Sequence, residues 1–65
     1  MKIIYDTEVD VIQILLRSEP VEESGEEEAG IIFDYDKKGT IVGIEILNAS
    51  KRIENPRAFE YELNV

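Results

Sequence analysis

The chain has 65 residues, 15 of them acidic and 7 basic, for a formal charge of -8 at neutral pH, and it contains neither cysteine nor histidine. A chain of this length makes one small domain that removes only about 60% of its unfolded surface from water, and neither a disulfide nor a thiolate zinc site can reinforce it. Nucleic acid and anionic membranes are disfavoured as partners, because the only adjacent basic pairs are Lys37-Lys38 and Lys51-Arg52 and no apolar run approaches the roughly 20 residues that span a bilayer.

Lys2 to Tyr5 reads as a short strand, and Asp6-Thr7-Glu8 opens a turn. From Val9 or Asp10 to Arg17 a second strand sets Ile12, Ile14 and Leu16 against Val11, Gln13, Leu15 and Arg17. The first set is wholly apolar and is assigned to the core. Val11 and Leu15 leave the other face half apolar, so a covering layer is expected there, from this chain or from another copy. The next segment, Ser18 to Gly30, carries Pro20, two glycines and six glutamates. It reads as a solvated acidic loop, since like charges repel and few apolar groups offset the ordering entropy; Val21 to Ser24 is the part best suited to a short edge strand.

Ile31 to Leu47, IIFDYDKKGTIVGIEIL, holds the clearest signal. Ile31, Phe33 and Tyr35 alternate on one arm, Val42, Ile44 and Ile46 on the other, and Asp36-Lys37-Lys38-Gly39 supplies the turn. Asp bonds its own backbone and Gly takes positive φ, which predicts a hairpin with a bulge. Gly43 in mid-strand marks a close approach, which Tyr5 or Tyr35 lying across it would explain. After Asn48, Ser50 is placed to cap a helical turn through Lys51 to Glu54, with Ile53 turned inward.

Asn55-Pro56 then interrupts, and Arg57 to Val65 carries two opposed signals. Asn before Pro starts helices, yet Phe59, Tyr61, Leu63 and Val65 alternate with Glu60, Glu62 and Asn64. A strand is favoured, and it would add to an open sheet edge in this chain or a neighbour. Ile3-Ile4-Tyr5-Asp6 also echoes Ile31-Ile32-Phe33-Asp34, which suggests two similar hairpins packed together. The expected fold is mainly β (small α+β): a single domain, residues 1–65, with an antiparallel sheet of two hairpins, four to five strands, and one short helical turn near Ser50–Glu54. The acidic loop spans 18–30 and the C-terminal strand or tail 57–65.

No catalytic residue is assigned. Ser18, Ser24 and Ser50 have no histidine to activate them, and Gly25, Gly30, Gly39 and Gly43 form no phosphate loop. Asp34, Asp36, Gly39, Ile41 and Glu45 fall at positions 1, 3, 6, 8 and 12 of a calcium-binding loop. Lys38 at position 5 and strand-like flanks oppose that reading. Asp6, Asp10, Asp34 and Asp36 are the candidate ligands for a weak divalent-metal site, with Glu45 as a further carboxylate should the hairpins abut. Isolated acids at turns more commonly bond backbone amides, and no cofactor is expected. Tyr5, Tyr35 and Tyr61 are read as packing residues.

The combination of Tyr5-Asp6 with Asp10, Gly30, the Asp34-Tyr35-Asp36 turn with Gly39, and Ile41 to Leu47 followed by Ala49-Ser50-Lys51-Arg52 resembles the small prokaryotic family known as domain of unknown function 2283. That resemblance implies a compact, mainly β domain of unknown activity, and it gives no guidance for the glutamate-rich loop or the tail. Beside it, the residues suggest a non-enzymatic binding or assembly module that self-associates as a homodimer. An antitoxin-like regulator that covers a basic partner protein with Glu22 to Glu28 and the tail, and a weak metal-binding domain, are the alternatives. With no signal-peptide layout at the N-terminus, the expected location is the cytoplasm.

Overall fold

The computed structural model describes all 65 residues. Five strands form one open antiparallel sheet: β1 (Lys2–Asp6), β2 (Val11–Leu15), β3 (Glu23–Glu28), β4 (Ile31–Tyr35) and β5 (Ile41–Leu47), in the order β1-β2-β5-β4-β3. A single helical turn, α1 (Ala49–Arg52), follows β5. The chain is thus mainly β, as the alternating arms predicted. The two hairpins that echo each other lie side by side, β1–β2 and β4–β5, joined through the central β2–β5 pairing.

The central turn closes as its residues dictate. The Gly39 N–H donates to the Asp36 carbonyl (3.0 Å), Gly39 takes φ 81°, and the Asp36 N–H donates to the Thr40 carbonyl (2.9 Å). This is a three-residue loop in which glycine supplies the left-handed step that restores the twist of the strands. Register then fixes the faces, because residues directly opposite in an antiparallel ladder share a side. One face carries Ile3, Tyr5, Ile12, Ile14, Ile44 and Phe33; the other carries Ile4, Val11, Gln13, Glu45, Ile32 and Asp34.

Several expectations are corrected. The acidic segment 18–30 is not a loop throughout, since Glu23–Glu28 is a strand pairing with β4, two residues beyond the start of the Val21–Ser24 stretch favoured from sequence. What makes it a strand is the otherwise bare edge of β4, whose backbone groups need partners. Leu16 is no core residue: it lies past the end of β2 and is exposed. There the N–H groups of Leu16 and Arg17 both donate to the Val42 carbonyl (2.9 and 3.2 Å), and the Glu22 N–H donates to the Tyr35 carbonyl (2.7 Å). The connection to β3 therefore crosses the ends of β5 and β4.

The helical turn begins one residue before Ser50 and is not capped by it. Asn48 is the N-cap, in the left-handed conformation (φ 52°) and without a side-chain cap bond. Nor does residue 57–65 form a strand: Arg57 to Val65 has no regular structure. A segment of alternating character still needs an edge to pair with, and within one copy this tail meets none. Segment 53–59 instead lies over the Ile3–Tyr5 side of the sheet, closing a cleft of about 290 Å³ between Ile12, Ile53 and Phe59.

Candidate functional site

Three polar clusters are candidates for function. The first cluster sits at the end of the sheet where the β1–β2 turn meets α1. Asp10, in the left-handed conformation (φ 58°), accepts from the Tyr5 hydroxyl (2.7 Å) and the Ser50 N–H (2.9 Å) through Oδ1, and from the Ser50 hydroxyl (2.6 Å) through Oδ2. Its carbonyl also accepts from the Ala49 N–H (2.9 Å). Asp10 thus does for the first turn of α1 what a cap residue does, from a position 40 residues away in sequence. The hydrogen bonds from Ser50, and then from Tyr5, hold its carboxyl below the usual aspartate value, while the bond to Asp10 raises the Tyr5 phenol. A carboxylate whose proton affinity is lowered is a poor base, and both Asp10 oxygens are taken up in bracing this junction.

The second cluster lies within the sheet. Asp34 is 4% exposed, faces Gly43 across the β4–β5 ladder, and accepts from the Ser24 hydroxyl of β3 (2.6 Å). A Cβ on Gly43 would stand 3.1 Å from Asp34 Oδ2 and 3.4 Å from the Ile14 carbonyl oxygen. The missing side chain at Gly43 therefore makes room for a carboxylate and not, as sequence suggested, for Tyr5 or Tyr35. Glu45, next along β5 on the same face, has its carboxyl pushed up, first by desolvation and then by hydrogen bonding and charge repulsion with Asp34. The tyrosine-over-glycine arrangement does occur, at Gly25: the Tyr35 ring passes 3.9 Å from where its Cβ would be and donates to Glu27 Oε1 (2.5 Å).

The third cluster is the turn itself. Asp36 Oδ1 accepts from the N–H groups of Lys38 and Thr40, both at 2.9 Å, which lowers its carboxyl. Asp6 Oδ1 accepts from the Glu8 N–H (3.0 Å) in the first turn. The four acids considered as metal ligands, Asp6, Asp10, Asp34 and Asp36, are thereby distributed among two turns, one strand interior and the α1 junction, each with a partner from this chain. No group of three or more acidic side chains is placed to hold a metal ion. Asp34 and Glu45 of the calcium-loop pattern do come together, but on the flat of the sheet, while Asp36 is spent on the turn. The contacts of Ser24, Gly25 and Glu27 with Asp34 and Tyr35 are not legible in sequence, because these residues sit in the segment read mainly as loop.

These features define a class: a small open β-sheet domain whose polar residues brace its turns and whose apolar residues are largely uncovered. Residues 2–50 match the family described as protein of unknown function (DUF2283), and the chain belongs to it. The residues that carried the resemblance prove to be the braces: Tyr5, Asp10 and Ser50 form one cluster, Asp34 and Gly43 another, Asp36 and Gly39 the turn. Neither a curated protein nor a solved structure matches the chain. No helix is long and apolar enough to cross a membrane.

Proposed function

We propose that this protein is a non-enzymatic assembly module that works as a homodimer. The observation that supports it is how little one copy hides. Among apolar side chains only Ile12, Val42 and Ala49 are buried, while Ile3, Ile4, Leu16, Phe59, Tyr61 and Leu63 are among the large hydrophobics left exposed. The accessible surface is 5265 Å² for 7.4 kDa. General scaling gives roughly 4,200 Å² for a folded monomer of this mass, so each copy carries roughly 1,000 Å² in excess, about what one partner contributes to a standard interface. The radius of gyration agrees: 12.6 Å, against roughly 10.7 Å for a compact domain of this length.

Sedimentation of the purified chain at micromolar concentration tests this reading, and a monomer that persists across that range overturns it. A second reading is supported by β3, which sets Glu23, Glu26, Glu27 and Glu28 on an exposed edge strand and gives a basic protein partner a charged ladder to dock on. A pull-down at low salt that retains no basic protein sinks it.

A further inference from the structure

Resting on the homodimer reading, we infer that the C-terminal segment Ala58 to Glu62 of one copy adds as a sixth strand to the outer edge of β1 in the other, each copy giving its tail and receiving one. Three observations lead there. The sheet ends at β1, which pairs only with β2 and so presents one row of backbone donors and acceptors to solvent. The tail has the period of a strand but no partner: Phe59, Tyr61 and Leu63 are 68, 72 and 71% exposed although they alternate with polar residues. Ala58 and Phe59 also close the cleft from above Ile3 and Tyr5, so the tail leaves from one layer off its own sheet and not from the plane of its own β1 edge.

Charge chooses between the two edges of the sheet. The β3 edge carries four glutamates and no cation, which opposes Glu60 and Glu62; the β1 edge carries Lys2 and Asp6 and is balanced. Charge and side-chain size then choose direction and register. An antiparallel alignment with Tyr5 opposite Phe59, Ile3 opposite Tyr61 and Lys2 opposite Glu62 pairs aromatic with aromatic, aliphatic with aromatic and cation with anion. A slide of two residues one way sets Asp6 against Glu60, the other way brings Pro56 into the ladder, and a parallel alignment of the same segment, Ala58 to Glu62, sets Asp6 against Glu62.

The test is sedimentation equilibrium on the full chain and five full-length variants. Glu60→Pro and Tyr61→Pro differ in which N–H they remove. Adjacent residues point their N–H groups to opposite sides, so one of the two must delete a ladder donor and weaken the dimer by at least about 10-fold. Lys2→Glu and Glu62→Lys should each weaken it roughly 2- to 10-fold, and the double variant should restore it. All these positions are exposed in the single copy, so its folding, followed by circular dichroism, should be unchanged. A dimer that neither proline weakens, or that the double charge swap fails to restore, overturns the tail exchange while the homodimer stands; a chain that is monomeric throughout overturns both.

Discussion

At Gly43 and Gly39 two glycines are required for different reasons, and they separate two ways a side chain can be refused. Gly43 has an ordinary strand backbone, but a Cβ there meets the Asp34 carboxylate at 3.1 Å and a backbone carbonyl at 3.4 Å. Gly39 has open space around it and φ 81°. Gly43→Ala should therefore cost about 1–3 kcal/mol through crowding, and Gly39→Ala about 1–2 kcal/mol through backbone strain alone. Urea denaturation measures both, and Gly39→Asn should recover part of its loss where Gly43→Asn recovers none. The acids give a pH prediction with two signs. Glu45 is raised when folded, so its contribution is greatest below the ordinary glutamate value of 4.5 and is lost as pH rises through the elevated value. Asp10 and Asp36 are lowered, so theirs holds above 3.8 and is lost as pH falls through the depressed values. Thermal melts should show greatest stability on the acid side of neutrality, and Glu45→Gln should flatten the limb above 4.5 while leaving the acid limb in place.

Among the elements, β3 is held to its neighbour by polar side-chain contacts, Ser24 with Asp34 and Glu27 with Tyr35. Its residues offer no apolar stripe, and Ser24 is the group that ties it to the buried Asp34. Ser24→Ala leaves that carboxylate without its donor and should cost about 1–3 kcal/mol, with hydrogen exchange of the β3 amides accelerating before the rest of the sheet opens. The same strand shows where sequence stops being legible. The β4–β5 hairpin could be read because its turn residues and both alternating arms are local. Glu23 to Glu28 could not, because nothing within it distinguishes a strand from a solvated loop; the deciding fact is the vacant edge of β4, a property of the assembled sheet. Ser50 reads from sequence as the cap of α1, but it lies inside the turn and donates to Asp10, 40 positions earlier, which acts as the cap. Gly43 was recognised as a close approach, yet only the register names Asp34 as the neighbour. Residue chemistry gave the need in each case, and topology gave the partner.

For the whole molecule, the proposed homodimer would couple folding to association and make stability depend on concentration. Because a dimer that binds the folded form shifts its equilibrium by mass action, the melting temperature should rise with chain concentration, and a melting temperature that stays constant from nanomolar to millimolar chain would contradict the homodimer. The glutamates of β3 also have a consequence for how far association can go. Two such edges brought together would set like charges about 4.8 Å apart along a shared ladder. In the proposed tail exchange each copy has one side that is joined and one that refuses its own kind, so growth would end at a closed pair and not run on into a fibre. Replacing Glu23, Glu26, Glu27 and Glu28 together with glutamine should let thioflavin fluorescence develop at neutral pH, where the unaltered chain shows none: in the proposed assembly, the acidic composition that reads at first as mere solubility keeps a sheet with bare flanks from polymerising.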